Sequence, residues 1–390
     1  MNREEVSKEI LNIKNNNLLI TLPTGHGKSK VAIDRVKTLS NNVGKLLIVI
    51  PRNVLKVNWE DELNKWWKNC KLDIQFTTYV SFPKYAGEWD FVIFDECHHL
   101  SERCRECIPS FTIKNSILLS ATVKKDLKWE INEVFDDLYH YNVSLRDAID
   151  NKILPDPTVY LLPLSLDNRI ANQYIIKNPK AKGRRIICEW KDRWNFLKQK
   201  NNPVAIKCTK AQYHKNLCDE IEWYKKKRFR EVFRLKWLKL CGDRLTYLSN
   251  CKTSVIKEIL GHLKHHRTLT FCNSIKHTEE LGTYCINSQN KDSEKYLEMF
   301  NTGKIKHITA CDMLNEGMNL TDCRVGIYAN LNSSDILIKQ KTGRLLRHKH
   351  PVIIIPYYKG TREQEIVEKM LENYNPDLVK TISFIEEIKL

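Results

Sequence analysis

Short apolar runs alternate along the chain with longer polar stretches. The runs at residues 18–21, 91–94 and 116–119 are nearly continuous and lack the polar residue at every second position that marks a half-exposed strand. This pattern is typical of strands buried on both faces of a parallel sheet. Residues 28–39 carry apolar side chains at helical spacing, which predicts a helix after the first strand. Strands and helices in alternation predict an α/β fold with doubly wound parallel sheets.

A glycine-containing turn connects the first strand to that helix. This arrangement presents backbone N–H groups and a helix N-terminus to a phosphate. Lys28 is expected to reach the β- and γ-phosphates of a nucleotide, and the Ser29 hydroxyl to hold Mg²⁺. An ordinary strand-to-helix turn is the alternative, because Leu22 stands where the strict phosphate-loop pattern has glycine. The candidate nucleotide-binding residues are Pro23, Thr24, Gly25, His26, Gly27, Lys28 and Ser29.

Polar residues follow the next two predicted strands. Asp95 and Glu96 end the run at residues 91–94, where open α/β sheets bind their ligands. We expect Asp95 to hold Mg²⁺, mostly through water, and Glu96 to orient and deprotonate an attacking water. A solvated acidic loop is the alternative. Residues 120–122, Ser-Ala-Thr, end the strand at residues 116–119, and alone they would be expected only to satisfy local backbone groups.

Together, these blocks resemble the motifs of superfamily 2 helicases of the DEAD/DEAH type. Residues 23–29 resemble motif I, which in this family commonly lacks the leading glycine, residues 95–98 resemble motif II, and residues 120–122 resemble motif III. The resemblance implies ATP and Mg²⁺ as cofactors. It places His98 at the nucleotide, coupling nucleotide state to the interface between two lobes, and makes Ser120 and Thr122 coupling residues.

Further motifs extend the resemblance. Residues 48–51, followed by Asn58, Trp59 and Glu62, resemble motif Ia, which contacts the nucleic-acid backbone in the family. Residues 272–274 resemble motif IV, and residues 315–320 resemble motif V. The resemblance implies nucleic-acid contacts by Pro51, Arg52 and Ser274, and nucleotide contacts by Gly317 and Asn319.

Residues 340–347 have the pattern Q-x-x-G-R-x-x-R and resemble motif VI, which crosses the cleft to the bound nucleotide. The resemblance implies that Gln340 and Arg344 contact the γ-phosphate region and that Arg347 is the arginine finger. A planar, permanently charged guanidinium suits the charge that grows on a transferred phosphoryl group. A helix with arginines on a solvated face is the alternative.

The resemblance covers roughly residues 15–145 and 250–375, and it implies two RecA-like lobes with ATP in the cleft between them. We therefore divide the chain into lobe 1, which binds ATP (1–150), a linker with a basic helical insert (151–250) and lobe 2 (251–390). The shape is similar to that of phage recombination helicases and restriction-enzyme motor subunits. Many relatives read adenine with a glutamine before motif I, but the first glutamine here is Gln75, so base selectivity stays open.

The net charge of the chain indicates which kind of partner it binds. The chain has 390 residues and a net charge of +17, which suits a polyanion, with nucleic acid as the first candidate. Residues 184–240 contain 17 Lys and Arg against six Asp and Glu, a net charge of +11. A solvated face or a nuclear localisation signal is the alternative. The candidate nucleic-acid-binding residues in this insert are Lys225, Lys226, Lys227, Arg228 and Arg230.

Aromatic residues are interleaved with these cations. Phe229, Phe233, Trp237 and Leu240 follow a spacing that places them on one helix face. We therefore expect the aromatics to pack within the protein rather than to stack on bases.

The remaining composition bears on compartment and metal content. Thirteen cysteines without a disulfide-like framework suit a reducing cytoplasm. No apolar run is long enough to span a membrane, and the N-terminal residues are too polar for a signal peptide. Cys104 and Cys107 lie close to Cys97 and His98, which makes zinc conceivable, but a single CxxC pair favours a structural role. Frequent Lys, Asn and Ile hint at an AT-rich genome such as many phages have.

The expected function is ATP-dependent translocation along, or unwinding of, nucleic acid, with DNA favoured over RNA. A nuclease, or replication or recombination proteins, are expected partners. A duplex translocase without strand separation and an RNA helicase are the rival motors. A nucleic-acid-binding scaffold is the non-enzymatic rival, and intact Lys28, Asp95, Glu96 and Arg347 argue against it.

Overall fold

The computed structural model describes residues 2–196, 200–282, 284–311, 320, 322–331, 342–343 and 345–390. These residues form three sheets. Two are wholly parallel and belong to two α/β lobes, which confirms the predicted fold class. No helix in these ranges is both long and apolar enough to cross a membrane.

Lobe 1 contains a six-stranded sheet in the order β3-β2-β4-β5-β1-β6. Its strands are β1 (Asn17–Thr21), β2 (Lys45–Ile50), β3 (Asp73–Thr78), β4 (Glu88–Phe94), β5 (Thr112–Ser120) and β6 (Leu138–Asn142). Its helices are α1 (Arg3–Asn12), α2 (Lys28–Ser40), α3 (Leu55–Trp66), α4 (Glu102–Cys107), α5 (Lys125–Asn132) and α6 (Leu145–Asp150).

The strand register explains why the chain needs continuous apolar runs here. On β1, Leu18 and Ile20 join the core on one face of the sheet, and Leu19 joins the core on the other face. Because both faces are covered by other elements, the three central positions of the strand, residues 18–20, are all apolar. Thr21 pairs with Ser120, so motifs I and III leave the sheet side by side.

Lobe 2 contains a seven-stranded sheet in the order β12-β13-β11-β14-β15-β7-β16. Its strands are β7 (Thr158–Leu164), β11 (Thr268–Cys272), β12 (Cys285–Ile286), β13 (His307–Cys311), β14 (Val325–Tyr328), β15 (Val352–Tyr358) and β16 (Val379–Thr381). Its described helices are α10 (Thr253–His262), α11 (Ile275–Leu281), α12 (Ser293–Asn301) and α13 (Arg362–Leu371). Arg146 of lobe 1 donates to Tyr374 O of lobe 2 at 2.7 Å and so ties the lobes together.

The insert combines a small sheet with a helical hairpin. Its sheet has the order β8-β10-β9, and β10 runs antiparallel to β8 and parallel to β9. The elements are β8 (Gln173–Lys177), β9 (Ile186–Glu189), α7 (Arg193–Phe196), β10 (Val204–Cys208), α8 (Lys210–Lys226) and α9 (Glu231–Cys251). Short 3₁₀ turns elsewhere in the chain occupy Phe82–Tyr85, Cys97–His99, Ile108–Ser110, Trp190–Asp192, Pro376–Leu378 and Ile385–Glu387.

Two features of residues 151–250 differ from the predicted helical linker and insert. Strand β7 pairs along its length with β15, so the chain enters the sheet of lobe 2 before it forms the insert. The insert also contains strands, which sequence reading missed because β8 and β9 are short and alternate between buried and exposed positions. The boundaries at 150 and 250 stay predictions.

A buried ion pair anchors the hairpin to lobe 2. Lys252, directly after α9, is fully buried, and its Nζ lies 2.5 Å from Glu363 Oε1 on α13. The same ammonium donates to Pro356 O at 3.1 Å, and Glu363 Oε2 accepts from Tyr358 N. Because protein groups contact both charges, the pair holds the C-terminal end of α9 against lobe 2.

Candidate active site

A cleft of about 820 Å³ lies between the lobes at the carboxyl ends of the lobe 1 strands. Lobe 1 contributes Lys28 and Asp95, and lobe 2 contributes Arg347. Residues 152–155, in the crossing from lobe 1, complete the wall. The cleft therefore brings the predicted phosphate loop, the acidic pair and the last arginine of motif VI to one place.

The phosphate loop is shaped for an anion. Gly27 precedes α2 with φ +102° and ψ 36°, a left-handed conformation that favours glycine, and no side chain among the described residues caps the helix. The N–H groups of the first turn are thus left to a ligand. Thr24 Oγ1 and both ring nitrogens of His26 are buried without a hydrogen-bond partner in the described part of the chain. These groups fit a bound phosphate better than a bare turn.

The predicted acid–base residues are paired and largely shielded from solvent. Lys28 Nζ donates to Glu96 Oε1 at 2.9 Å, and His98 Nδ1 lies 3.4 Å from Glu96 Oε2. Burial opposes ionisation of Glu96, but the positive charge of Lys28 and the contact with His98 outweigh it and lower the pKa of the carboxyl. Burial, and then the negative charge of Glu96, raise the pKa of Asp95 to about 6. The two neighbouring carboxylates therefore differ in proton affinity.

Motifs II and III are connected through a hydroxyl. His98 Nδ1 and Ser120 Oγ are 3.1 Å apart. Ser120 Oγ donates to Thr122 O at 2.8 Å, and Thr122 Oγ1 is buried with no partner in the described ranges. His98 is thus in contact with the end of β5, where motif III begins.

Two aromatic residues that position Asp95 were missed by sequence reasoning. Trp59, on α3, donates from Nε1 to Asp95 Oδ2 at 2.9 Å. Tyr79 donates from its hydroxyl to Asp95 O at 2.7 Å. The only sequence signal was the resemblance of Trp59 to motif Ia, which pointed to nucleic acid instead. Arg3 of α1, also missed, donates to Gly25 O at 3.2 Å and Ile153 O at 3.3 Å, and so braces the phosphate loop.

Lobe 2 approaches the nucleotide site through motif VI. A Cβ atom on Gly343 would lie 2.5 Å from Thr24 Cβ and 2.8 Å from Thr24 O, so only glycine permits this contact with the phosphate loop. Partial desolvation lowers the pKa of the Arg347 guanidinium, and the negative charge of Glu62 on α3 opposes that effect. Gln340, Arg344, Gly317 and Asn319 lie outside the described residues.

The predicted nucleic-acid residues lie elsewhere. Pro51 and Arg52 follow β2, and Ser274 caps α11 by accepting from His277 N at 3.2 Å. Lys225 and Lys226 end α8, and Lys227, Arg228 and Arg230 lie in the turn before α9. All five are exposed except for half-buried Lys227.

The expectation that the interleaved aromatics pack internally is correct for half-buried Phe233 and Trp237, and Leu240 on the same helix face is buried. It is wrong for Phe229, whose side chain is 78% exposed. The physical reason is that α9 begins only at Glu231. Phe229 therefore lies in the turn and not on the packed face of the helix.

The cysteines near motif II have protein partners. Cys104 Sγ donates to Tyr79 O at 3.1 Å, and Cys107 Sγ donates to Cys104 O at 3.0 Å. Within the described ranges, no group of three or more His, Cys, Asp or Glu side chains is placed to hold a metal ion. The CxxC pair is accordingly part of the packing around Tyr79.

Two family models match the chain. One, described as "Type III restriction enzyme, res subunit", matches residues 2–81, and the other, "Helicase conserved C-terminal domain", matches residues 251–349. These two matches and the relatives below support a superfamily 2 helicase of the DEAD/DEAH type. This helicase is an enzyme that hydrolyses ATP.

Relatives and solved structures agree with the helicase assignment. The chain is 23% identical over 379 residues to the "DNA 3'-5' translocase XPB2" of Sulfurisphaera tokodaii, an alignment that covers 91% of this chain and 80% of that protein. Its fold is similar to that of S. cerevisiae Dbp5 bound to RNA and ADP BeF3, with a TM-score of 0.60, 10% identity, and coverage of 98% of this chain and 89% of that one. A putative HsdR subunit of a type I restriction enzyme from Vibrio vulnificus gives a TM-score of 0.57, with 15% identity and coverage of 98% and 68%.

Proposed function

We propose that this helicase is a DNA-dependent ATPase that moves along DNA, with ATP and Mg²⁺ held in the inter-lobe cleft. The observation that carries the proposal is the buried Lys28–Glu96 pair facing Arg347 across that cleft. The similarity to a protein named as a DNA translocase, over nine-tenths of this chain, supports DNA as the track. The net charge of +17 supports a polyanionic partner.

The residues present fit a magnesium nucleotide. The uncapped start of α2 and the Thr24 hydroxyl suit phosphate oxygens, and Ser29 and Asp95 offer the oxygen ligands that Mg²⁺ prefers. Bound Mg²⁺ supplies neutralisation of charge on the phosphates. Base selectivity for adenine stays open, because no glutamine precedes the phosphate loop.

Lys28 is the element of the site that changes partner. It now donates to Glu96 at 2.9 Å and thereby favours the ionised carboxylate. When Lys28 turns to a phosphate, Glu96 loses its strongest cationic contact, so its pKa rises and it becomes a stronger base toward water. Arg347, with Gln340 and Arg344 as further candidates, would stabilise charge in the transition state.

The cycle couples this chemistry to motion through residues between the lobes. His98 contacts Glu96 on one side and Ser120 on the other, so a change at Glu96 reaches motif III. Gly343 contacts Thr24 directly, so a shift of the phosphate loop displaces Gly343 of lobe 2 as well. Alternating lobe closure then moves the protein along a strand.

A translocase that follows duplex DNA without separating its strands is the second candidate function. The relative's name, which speaks of translocation, and the restriction-enzyme model over residues 2–81 favour it. A strand-displacement assay and a triplex-displacement assay on the same DNA separate the two. A partner nuclease, replication or recombination proteins, and a cytoplasmic location stay predictions from sequence.

The experiment that tests the proposal is steady-state ATP hydrolysis without nucleic acid and with single-stranded DNA, duplex DNA and RNA. Glu96→Gln serves as the blank, since it keeps the shape of the side chain and removes the base. We expect DNA to stimulate hydrolysis more than RNA does. Equal stimulation by RNA would contradict DNA as the track, and no hydrolysis above the blank with any polymer would contradict the proposed activity.

A further inference from the structure

The end of α8, the turn that follows it and the first part of α9 form a strongly basic segment that we call the hairpin tip (residues 225–239). It contains eight Lys and Arg and one Glu, a net charge of +7 over 15 residues. All of its residues are exposed except Lys227, Phe233 and Trp237, which are half-buried. The motifs that form the nucleotide site do not include this segment, so its charge needs a separate explanation.

The hairpin tip also exposes apolar side chains. Phe229 is 78% exposed, and Val232, Leu235 and Leu238 are at least half exposed. Apolar groups that are clustered on a projecting surface and surrounded by polar residues mark an interaction site. A purely solvated helix face would carry charges alone, so charge repulsion or solubility does not account for the aromatic ring.

Among the aromatics of this region, Phe229 has the most exposed ring. Trp223 is 48% exposed, but Lys227 Nζ lies over its ring at 3.6 Å from the centroid, and the ring also packs edgewise with Tyr224. Phe233 packs on Trp223 and Tyr224, with centroid distances of 6.0 and 5.9 Å. The guanidinium of Arg230 lies over the ring of Phe229, 5.7 Å from its centroid.

We propose that Phe229 is a stacking platform for unpaired bases of a nucleic-acid strand, with the flanking Lys and Arg side chains neutralising its phosphates. The inference rests on the proposed function and adds to it a contact outside the two lobes. An aromatic ring set among cations is the combination by which proteins hold single strands without reading sequence. A duplex offers no open base face to such a ring, so the site selects unpaired strands.

The charge of the hairpin tip decides between classes of partner. The phosphates along a nucleic-acid strand supply a series of negative charges that complements the net charge of +7. An acidic protein surface would complement the charge, but it does not place a planar group beside each negative charge, as a nucleic-acid strand does with its bases and phosphates. Anionic lipid would accept both the charge and the apolar side chains, and it is therefore an arm of the test.

The test uses the full chain and a fluorescein-labelled oligo(dT), with binding measured by anisotropy over a range of salt concentrations. Phe229→Ala should weaken binding about tenfold at every salt concentration, because aromatic stacking contributes that order of affinity. The slope of log K against log[salt] should not change, since no cation is lost. Phe229→Trp should restore binding.

The matched control is Phe384→Ala. Phe384 is also an exposed phenylalanine, 68% exposed, but it lies near the C-terminus of lobe 2 outside the basic segment. It should bind oligo(dT) as the unmodified chain does. A blunt duplex of equal length should bind equally well to the unmodified chain and to Phe229→Ala.

Four outcomes would overturn the inference. Unchanged oligo(dT) binding by Phe229→Ala would show that the ring makes no contact. A smaller salt slope would show that the substitution acts through the arrangement of the cations, and an equal loss on duplex DNA would show that unpaired bases are not recognised. If Phe229→Ala weakens binding to phosphatidylserine vesicles but leaves oligo(dT) binding unchanged, the hairpin tip is a membrane-binding segment. A chain that neither binds oligo(dT) nor shows stimulated hydrolysis would contradict the proposed function itself, which is a distinct result.

Discussion

The nucleotide cleft and the hairpin tip use cations in opposite ways. In the cleft, Lys28 is nearly buried and makes one short contact with a buried carboxylate. At the tip, the net charge of +7 is spread over exposed side chains. In the first region, position decides the effect of each charge, because a low dielectric strengthens every contact. In the second, water and salt screen each charge, so the number of charges matters more than their placement. Replacing a single cation should therefore have a large effect on hydrolysis in the cleft, whereas each cation removed from the tip should weaken nucleic-acid binding by a small step.

The largest effect is expected for Lys28→Ala. Removing the ammonium deletes the phosphate contact and leaves Glu96 without its cation, so hydrolysis should fall to the level of the Glu96→Gln blank. Steady-state hydrolysis measures this. Lys37→Ala, on the same helix but exposed, is the control. Hydrolysis by Lys28→Ala at the unmodified rate would remove the phosphate-loop assignment.

Arg347→Ala should lower kcat by about 10³-fold, the order found for arginine fingers, and should change nucleotide affinity little. Arg347→Lys should not rescue the loss, because an ammonium lacks the planar fork of donors. Binding of a fluorescent ATP analogue, measured beside kcat, separates the two quantities. An unchanged kcat would exclude Arg347 as the finger.

Trp59→Phe tests whether an indole N–H positions Asp95. The change keeps an aromatic ring but leaves a buried carboxylate oxygen without its donor, which should cost about 1–3 kcal/mol in the free energy of unfolding. Trp89→Phe is the matched control, because Trp89 is also buried and donates from Nε1 at 2.9 Å, but to the backbone carbonyl of Tyr85.

A magnesium titration of nucleotide binding distinguishes a positioning role from a structural one. Both variants should lose stability in urea unfolding. Only Trp59→Phe should need more Mg²⁺ for half-maximal binding of the fluorescent analogue. If the two variants require the same Mg²⁺ concentration, Trp59 serves packing alone.

His26 makes the stability of the cleft depend on pH. Burial, and then the charge of Arg3, lower the pKa of His26 to about 4 in the folded chain, against a usual value of 6.5. Between these values the unfolded chain binds more protons, so the contribution of His26 to stability is present above pH 6.5 and is lost as the pH falls towards 4.

Between pH 7 and pH 5, this linkage predicts that the unmodified chain loses about 2 kcal/mol more than His26→Asn does. Urea unfolding of both proteins at the two pH values measures the difference. Equal losses in the two proteins would show that His26 titrates at its usual pKa when folded.

The sequence was sufficient where chemistry and structure are local. Gly27, Lys28 and Ser29 are consecutive, so the phosphate loop could be predicted, and strands covered on both faces have continuous apolar runs that the sequence reveals. The contact between Trp59 and Asp95 joins residues 36 apart and depends on how α3 packs over the sheet. Phe229 was assigned to a packed face because spacing does not reveal that α9 begins only at Glu231.

The smallest catalytic effect is expected at the hairpin tip. The triple variant Lys225→Ala, Lys226→Ala and Arg228→Ala should leave hydrolysis without nucleic acid unchanged, because none of the three residues lines the cleft. Each phosphate contact that is lost should reduce the slope of log K against log[salt] by about 0.7 for single-stranded DNA. The matched control replaces three exposed lysines of lobe 1, Lys8, Lys14 and Lys68, and so removes the same charge elsewhere. If both triple variants reduce the slope equally, the net charge of the whole chain attracts DNA, and the tip holds no phosphate of its own. If only the tip variant reduces the slope, the exposed cations of the hairpin tip form a binding site for phosphates. The tip and the cleft then both bind phosphates, and they differ in how strongly solvent screens their charges.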